Sequence, residues 1–380
     1  MNARIFRLRD FDPVLLAAAL GLVALGTMLI YSGSLNHWGE PTAFDFSHPV
    51  VRQGTFAAAG LVLALMFARA DYRALGVLTV GLYIASVAAL LFVLLFGDAT
   101  YGSRRWIEIG GTPVQPSEIA KLVVIIALAK YLSDREESIR TWRVLLTSLL
   151  IAAIPAALVF AEPDLGSAVV FAAIWLGMVI VAGARWSQIF ALLGSALVAV
   201  PFAFIGLVTD YQRERVALWL DPERDPQGAG FNILQGRISI GSGGFWGKGL
   251  TEGSQTQLDY LRTETTDYVF SVLGEELGFF GAMLLFALFV VLIWRGLRAA
   301  ELSKDMFGRL IATGLVIYIL LQAFINVAVN VGLLPVTGIP LPFVSQGGSS
   351  LITLFIGLGI LESILLRHRR FSIGEFYHNG

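Results

Sequence analysis

Long apolar runs, separated by short polar segments, occupy most of the chain. Most of these runs approach the ~20 residues that an α-helix needs to cross about 30 Å of hydrocarbon. The pattern therefore predicts an all-α polytopic membrane protein with ten transmembrane helices. The predicted helices cover residues 12–31, 49–68, 74–97, 117–132, 143–161, 165–183, 187–209, 269–294, 308–333 and 347–366.

The composition agrees with a membrane protein rather than with a soluble enzyme. Of the 380 residues, 56% are hydrophobic and only 14% are charged, whereas soluble domains carry about 25% charged residues. We interpret residues 1–380 as a single transmembrane domain. The net charge of −1 gives no indication of a nucleic-acid partner, and the absence of cysteine excludes disulfides, thiol nucleophiles and thiolate metal sites.

The distribution of Lys and Arg orients the predicted helices. Outside the longest polar segment, basic residues concentrate in the segments that face the cytoplasm if the N-terminus does. The short segments on the other side hold only Arg52, Arg104 and Arg105. By the positive-inside rule, both termini are predicted to be cytoplasmic. This orientation leaves three unusual segments on the outer face: residues 98–116, 210–267 and 334–346.

The outer segment 210–267, between the seventh and eighth predicted helices, is long for a loop in a compact domain. It is not of low complexity, and it holds apolar side chains, Phe245 and Trp246 among them, that are suited to packing on the membrane surface. We therefore expect this loop to be ordered.

Three carboxylates lie where the loop meets the eighth predicted helix: Asp267, Glu275 and Glu276. Carboxylates are costly near hydrocarbon, so in membrane proteins they commonly mark functional sites. Partial desolvation raises the pKa of a carboxyl group and suits Asp267 to the role of general base. An N-cap of the following helix explains Asp267 equally well. Glu275 and Glu276 are expected in supporting or structural roles.

A second polar cluster surrounds the start of the fourth predicted helix. Glu118 and Lys121 share one helix face because they are three residues apart. They form either an ion pair that fixes helix packing or the lining of a polar cavity. Arg104, Arg105 and Gln115 lie just upstream. Guanidinium groups match the oxygens of a pyrophosphate, which favours the cavity; a solvated loop is the alternative for the two arginines.

Two further polar patterns have both structural and functional explanations. Asp164 belongs to a Glu-Pro-Asp turn between the fifth and sixth helices, where turn chemistry alone accounts for it. Gln322, Asn326 and Asn330 recur every four residues in the ninth helix. Interhelical hydrogen bonding is the usual reason for amides in a membrane helix, and a substrate-facing role is the alternative.

A glycine-rich run, Gly241–Gly249, lies in the long outer loop and contains Lys248. It does not fit the P-loop pattern, because Ser242 stands where that pattern requires glycine and Gly249 stands where it requires Ser or Thr. Two interpretations remain: a backbone cradle for an anion, with Lys248 as a point charge, and a plain tight turn.

Several motifs, in this order along the chain, resemble those of the SEDS family of shape, elongation, division and sporulation proteins. They are Arg105-Trp106-Ile107 with Gln115-Pro116-Ser117-Glu118 and Lys121; Glu162-Pro-Asp-Leu-Gly-Ser167; Gly241-Ser-Gly-Gly with Gly247-Lys-Gly249; Thr266-Asp267-Tyr268 with Gly274-Glu-Glu-Leu-Gly278; and Leu334-Pro-Val-Thr-Gly-Ile-Pro-Leu-Pro-Phe343 with Gly347-Gly-Ser-Ser350. The form of the last motif and the short termini are more similar to the RodA branch than to the FtsW branch.

The resemblance implies a peptidoglycan glycosyltransferase with a GT-C-like fold. Such enzymes polymerise lipid II into a growing glycan strand at the outer face of the bacterial cytoplasmic membrane. The expected partners are a class B penicillin-binding protein, which is a transpeptidase, and the elongation machinery. The family's essential aspartate falls on Asp267. Whether a divalent cation, Mg²⁺ or Mn²⁺, takes part stays open. The residues expected to bind substrate are Arg104, Arg105, Trp106, Gln115, Glu118, Lys121, Asp164, Lys248 and Ser349.

The chain departs from the family pattern at two positions. Thr265 stands where members commonly have histidine, so no His–Asp relay is expected and Asp267 alone is the candidate base. Gln346 stands where they commonly have tyrosine. The alternative functions are a flippase for lipid-linked precursors, the FtsW-like division enzyme, and a non-catalytic scaffold. A flippase needs polar groups at both leaflets, and the sequence indicates no cytoplasmic cluster comparable with the outer one.

Overall fold

Fourteen α-helices and three short β-strands form the described part of this computed structural model, which covers residues 11–42, 45–100, 103–109, 112–206, 209–225, 228–258, 260–261 and 265–378. The helices are α1 (Pro13–Trp38), α2 (Pro49–Arg69), α3 (Ala74–Phe96), α4 (Pro116–Ser133), α5 (Trp142–Ala161), α6 (Leu165–Ala182), α7 (Trp186–Gly206), α8 (Asp210–Leu220), α9 (Ala229–Ser242), α10 (Ser254–Gln257), α11 (Val269–Glu276), α12 (Gly278–Leu302), α13 (Met306–Asn330) and α14 (Gly348–His378). The strands are β1 (Asp98–Thr100), β2 (Ser103–Ile109) and β3 (Thr112–Val114).

Eight of the described helices are long and apolar enough to cross a membrane: α1, α2, α3, α5, α6, α12, α13 and the Gly348–His368 part of α14. Each has at least 18 residues, and at about 1.5 Å per residue this length nearly spans the hydrocarbon core. The protein is therefore a multi-pass membrane protein. The helices α4 and α7 occupy the places of the fourth and seventh predicted helices. Helix α4 is not among the eight spanning helices because it contains three charged residues.

The helix starts follow from capping side chains. Asp12, Thr141, Asp164 and Asp305 each accept a hydrogen bond from a backbone N–H in the first turn of α1, α5, α6 and α13 respectively. Each bond satisfies an N–H that has no partner within its helix. Asp164 thus has the structural role that the turn chemistry predicted.

The eighth predicted helix, 269–294, is two helices rather than one. α11 ends at Glu276 and α12 begins at Gly278, whose φ of +61° favours glycine. A Cβ atom on Gly278 would lie 2.3 Å from the backbone nitrogen of Gly247, so the close approach of the glycine-rich run excludes a side chain. The apolar pattern continues across this point, which is why it predicted a single helix.

The prediction of an all-α chain was wrong for the segment between α3 and α4. Its three strands form an antiparallel sheet in the order β1-β2-β3, with Ala99 opposite Arg104 and Ile107 opposite Val114. Strands of three to seven residues are too short to give a recognisable alternation of polar and apolar positions. The sheet fixes the backbone of β2, the strand that carries Arg105.

The long loop between α7 and α11 contains three helices, α8, α9 and α10, so its described residues are ordered as predicted. Helix α9 packs closely on α11: a Cβ atom on Gly236 would lie 2.9 Å from the ring of Tyr268. Ile233 is buried there, whereas Phe245 and Trp246 are exposed. The loop is therefore attached to the helix that directly follows Asp267.

Helix α4 lies inside the bundle. Of its 18 residues, 14 are buried, Glu118 and Lys121 among them, and it contacts α3, α5, α6, α13 and α14. Helices α2 and α14 lie along each other, and small residues permit this: a Cβ atom on Gly359 would lie 2.4 Å from the carbonyl oxygen of Ala64. The bundle thus surrounds two charged side chains of α4.

Two ends of the bundle can be distinguished. At one, which we call the loop end, the β-sheet, the 162–164 turn, the α8–α10 loop and the 331–347 segment meet through hydrogen bonds. At the other, the turn end, the α2–α3 and α12–α13 turns are joined by an ion pair between Arg73 and Asp305. Every residue predicted for the site, except those inside α4, lies at the loop end.

Candidate active site

Asp267 lies in the turn before α11, and its backbone is fixed from α13. Its carbonyl oxygen accepts hydrogen bonds from Asn326 Nδ2 at 3.2 Å and Asn330 Nδ2 at 2.8 Å. The preceding carbonyl, of Thr266, accepts one from Ser345 Oγ at 2.6 Å. The N-cap interpretation of Asp267 was wrong, because the N-cap position of α11 is the next residue and has no capping side-chain bond. Helix α13 and the 331–347 segment therefore position the backbone at Asp267. The Asp267 carboxylate is not the N-cap of α11.

The electrostatic environment of the Asp267 carboxylate is mixed. Burial raises its pKa, and Asp164 contributes in the same direction, whereas the cations Arg215 and Arg105 oppose the shift. The side chain keeps some exposed surface although dense protein surrounds it. No hydrogen bond from the described residues reaches its carboxylate oxygens. A carboxylate with a raised pKa, free lone pairs and nearby cations has the properties of a general base beside an anionic leaving group.

Arg105, from β2, is buried against the turn between α5 and α6. Its Nε donates to the carbonyl oxygen of Glu162 at 3.0 Å, and its Nη2 donates to that of Pro163. Asp164 accepts hydrogen bonds from Ser167 N at 3.0 Å and from Gln115 Nε2 at 3.4 Å. The structure therefore brings Asp164 together with Arg105 and Gln115, which the sequence analysis had placed in a different cluster. Only the backbone of Arg104 is described, in the same strand.

Glu162, at the start of this turn, is a buried carboxyl group that forms no ion pair within the described residues. Burial raises its pKa to about 8, nearby Asp164 adds to this, and Arg105 opposes it. Its Oε1 has no hydrogen-bond partner among the described residues. The raised pKa favours the protonated, neutral form of this group.

Glu118 and Lys121 form a buried ion pair inside the bundle. Lys121 Nζ lies 2.7 Å from Glu118 Oε1, and both side chains are at most 2% exposed. The other carboxylate oxygen accepts hydrogen bonds from Tyr318 Oη at 2.8 Å and Gln322 Nε2 at 3.5 Å. The predicted pairing is confirmed. Both carboxylate oxygens of Glu118 therefore have protein partners, and the opposite charges of the pair compensate each other, as buried charges require.

One face of α13 joins this ion pair to Asp267. Tyr318, Gln322, Asn326 and Asn330 follow one another at intervals of four residues, so they line one side of the helix. The first two bond Glu118 and the last two bond the backbone of Asp267. One helical turn is about 5.4 Å, so the two groups are neighbours along α13. The amide stripe thus makes the interhelical bonds that the sequence predicted.

Two remaining predicted residues lie around the start of α4. Ser349, in the first turn of α14, accepts a hydrogen bond at its Oγ from the backbone nitrogen of Gln115 at 3.2 Å. Trp106 lies half-buried in β2. These contacts attach α14 and the sheet to the loop-end start of α4.

Lys248 forms an ion pair with Glu275 of α11. Its Nζ lies 2.6 Å from Glu275 Oε1, and its backbone nitrogen donates to the carbonyl oxygen of Glu275 at 2.9 Å. Glu275 also accepts from the backbone nitrogens of Gln255 and Thr256. Because these groups bond one another, the structure favours the tight-turn interpretation of the glycine-rich run. Glu275 fixes the loop, the supporting role expected for it.

Arg215, on α8, is the residue that the sequence analysis missed. Its Nη1 donates to the carbonyl oxygen of Val336 at 2.9 Å, its Nη2 donates to the hydroxyl of Tyr211, and its charge acts on Asp267. The chain carries six basic residues in this loop, and nothing local separates Arg215 from the other five. Only the fold shows that the positive charges of Arg215 and Arg105 both lower the pKa of the Asp267 carboxyl group.

A divalent cation is compatible with these residues if the protein provides few of its ligands. Among the described residues, no three His, Asp or Glu side chains converge on one point. Mg²⁺ commonly binds through one or two carboxylates and takes its other ligands from substrate phosphates and water. Asp267 and Asp164 are the carboxylates that would hold such an ion, with its neutralising charge beside the phosphates.

The turn end contains a polar cavity that the sequence analysis did not predict. It has a volume of about 540 Å³ and is lined by Arg73, Lys130, Asp134 and Asp305, among others. A second cavity of about 440 Å³ adjoins it and shares Asp305. The sequence did not indicate this group of charged side chains, because Arg73 and Asp305 lie 232 residues apart and meet only in the folded chain.

Sequence and structure comparisons place the chain in a family. The FtsW/RodA/SpoVE family of cell cycle proteins matches residues 13–370. The chain belongs to this family. The resemblance inferred from the motifs is confirmed.

Relatives of known name in the FtsW/RodA/SpoVE family cover nearly the whole chain. The chain is 37% identical to peptidoglycan glycosyltransferase MrdB of Escherichia coli K12, over 95% of both proteins. It is 36% identical to a probable peptidoglycan glycosyltransferase FtsW of Trichlorobacter lovleyi, over 94% of both. It is also 36% identical to stage V sporulation protein E of Bacillus subtilis, over 93% of this chain and 96% of that one.

Solved structures of the family have the same fold. One chain of a peptidoglycan synthase complex that coordinates polymerization and crosslinking is 33% identical and has a TM-score of 0.77, over 95% of this chain and 98% of that one. The rod shape determining protein RodA of Thermus thermophilus is 30% identical, with a TM-score of 0.67 over 94% and 97%. A RodA form with one aspartate replaced by alanine matches equally well.

Proposed function

We propose that this protein is a peptidoglycan glycosyltransferase that polymerises lipid II. The observation that carries the proposal is the environment of Asp267, in a chain of the FtsW/RodA/SpoVE family. Its backbone is bound by two asparagines, its pKa is raised by burial, and two arginine charges act on it. This combination suits the transfer of a sugar from a pyrophosphate carrier.

In the proposed reaction, the 4-hydroxyl oxygen of the acceptor sugar attacks the anomeric carbon of the donor. A new carbon–oxygen bond forms while the bond from that carbon to the pyrophosphate breaks, with inversion at the carbon. Asp267 accepts the hydroxyl proton, and undecaprenyl pyrophosphate leaves with the electron pair. Cations near the leaving group stabilise the transition state. Arg105 and Arg215 are the best placed, because both act on Asp267.

The other predicted residues have assigned places in this proposal. Glu118 and Lys121 lie behind the proposed substrate cavity, and their role in binding depends on whether substrate reaches this buried pair. The residues around them that bind the sugar or phosphate groups are Arg104, Trp106, Gln115, Asp164 and Ser349. Lys248 is least suited to this role, because Glu275 neutralises it.

The proposed topology has ten membrane crossings in one GT-C-like domain of residues 1–380. Helices α4 and α7 complete the set of ten, and α12, which α11 precedes, forms the eighth crossing. Both termini are cytoplasmic, and the loop of residues 210–267 is outside. The positive-inside distribution supports this orientation, which places the loop end, and so Asp267, at the outer face of the bacterial cytoplasmic membrane.

A class B penicillin-binding protein is the proposed partner. The support is the structure of a peptidoglycan synthase complex, one chain of which shares this fold. Such a partner crosslinks the strands that this protein makes, within the elongation machinery. The division role of FtsW is the close alternative, since relatives named MrdB and FtsW are similarly related to the chain.

A flippase is the second candidate function, and the cavity at the turn end favours it. Proteoliposomes that contain fluorescent lipid II separate the two functions. Polymerase activity gives glycan strands on a gel, whereas flippase activity moves lipid II between leaflets without making strands. We expect strands from the wild-type protein with its partner and none from Asp267→Asn. Translocation without strands in both proteins would refute the proposal.

A further inference from the structure

Four aromatic rings form an exposed patch at the loop end. Phe245 and Trp246 belong to the glycine-rich turn, and Phe279 and Phe280 belong to the first turn of α12. Trp246 is 80% exposed and Phe245 is 69% exposed. The ring centroids of Trp246 and Phe280 are 4.6 Å apart, and those of Phe245 and Phe279 are 5.8 Å apart. We call these four residues the aromatic patch.

The backbone holds the aromatic patch rigidly. Phe279 N donates to the carbonyl oxygen of Gly244 at 2.9 Å, and Phe280 N donates to that of Phe245 at 3.2 Å. Gly244 has a φ of +58° and Gly247 one of +78°, so the turn needs glycine at both positions. The glycine-rich run therefore presents two large rings in a fixed direction, beside the start of a membrane-spanning helix.

The aromatic patch continues the exposed apolar side of α12. Further along that helix, Met283, Leu284, Val290 and Trp294 are exposed and recur at helical spacing, and α12 is long and apolar enough to cross the membrane. In the other direction the chain becomes polar, and Glu252 is exposed. The patch thus lies where an apolar surface meets a polar one.

We propose that the aromatic patch lies in the boundary between the lipid headgroups and the acyl chains and binds the bilayer there. Trp favours this depth, because its ring is largely apolar and its indole N–H finds a polar partner; the three Phe rings add apolar surface on the acyl-chain side. The ligand is phospholipid. The contact fixes the depth of the α11–α12 break, and with it the depth of the attached loop.

Quenching of tryptophan fluorescence by brominated phosphatidylcholine tests this proposal on the full chain in nanodiscs. Trp246→Phe removes the reporter and keeps a ring. Two matched variants calibrate it: Trp294→Phe removes an exposed ring at the other end of α12, and Trp175→Phe removes a ring that is only 6% exposed and bonded to Ser148. The measured quantity is the fluorescence intensity per protein that is lost to brominated lipid. We expect this intensity to fall in Trp246→Phe at least as much as in Trp294→Phe, and to be unchanged in Trp175→Phe.

The outcomes separate the bilayer from water and from a protein partner. Quenching in Trp246→Phe equal to that of the wild-type protein places the ring in water and overturns the proposal. Stronger quenching of Trp246 by bromine deep in the acyl chain than by bromine near the headgroup contradicts the proposed depth. If the proposed transpeptidase abolishes quenching of Trp246, the patch is a protein interface instead. These readouts need no catalysis, so they are independent of the polymerase proposal.

Discussion

Replacing Lys121 with methionine tests whether the Glu118–Lys121 pair is a fixed charge pair inside the bundle. The substitution preserves most of the side-chain volume and removes the ammonium group that lies 2.7 Å from the carboxylate of Glu118. Glu118 is only 1% exposed, so its negative charge has no access to water. The carboxylate keeps its hydrogen bonds from Tyr318 and Gln322, but these groups are neutral.

The expected loss of stability follows from these contacts. Breaking a buried ion pair by removing one partner costs about 3–5 kcal/mol, because the remaining charge is uncompensated. The two remaining hydrogen bonds place the expected value for Lys121→Met at the lower end of this range. Adding Glu118→Gln removes the orphaned charge and leaves an acceptor for Tyr318. The double variant is therefore expected to recover most of the loss, since neutral replacements of buried pairs are often tolerated.

Thermal unfolding in detergent, followed by tryptophan fluorescence, measures both effects. A Lys121→Met protein as stable as the wild-type protein, with no gain on adding Glu118→Gln, would refute the argument that this pair is buried and coupled. The double variant then separates the two interpretations of the pair. A stable double variant that no longer polymerises lipid II supports a cavity role, and a fully active one supports helix packing alone.

Three further predictions concern the groups around Asp267. Arg215→Met removes a positive charge that lowers the pKa of Asp267. The ascending limb of the pH profile of kcat/KM should therefore move to higher pH. An unchanged limb would show that Arg215 does not influence the general base. Asn330→Ala removes a 2.8 Å hydrogen bond to the Asp267 carbonyl and should lower kcat more than it raises KM in a steady-state assay; a change in KM alone would contradict the positioning role. Lys248→Met should lower the unfolding temperature and leave the KM for lipid II unchanged, because Lys248 pairs with Glu275; a large rise in KM would restore Lys248 to the substrate site.

The hydrophobic pattern was sufficient to predict the spans, because burial in lipid imposes a long apolar run on each helix. It placed α2 to α7 and α13 within about three residues of their observed ends, whereas α1, α12 and α14 extend further than predicted. It could not show the break before Gly278, which depends on the close approach of Gly247 from another segment. The three-stranded sheet was missed for a related reason, since its strands are short and are stabilised by one another.

The candidate site was predictable where its chemistry is local. The spacing of Glu118 and Lys121 alone indicates a shared face, and the ion pair follows. Contacts between distant segments could not be predicted: Lys248 bonds Glu275, 27 residues away, and Arg215 acts on Asp267 only after α8 folds against the 331–347 segment. Long loops contain many charged residues, and the fold selects among them.

The most direct measurement of the central claim is the initial rate of lipid II polymerisation by Asp267→Asn with the partner transpeptidase present. General base catalysis contributes about 10²–10⁴-fold, and a loss of this size is predicted with an unchanged unfolding temperature. Asp210→Asn, which alters a fully exposed carboxylate in the same loop, should retain the wild-type rate. A folded Asp267→Asn protein that polymerises lipid II at the wild-type rate would contradict the account.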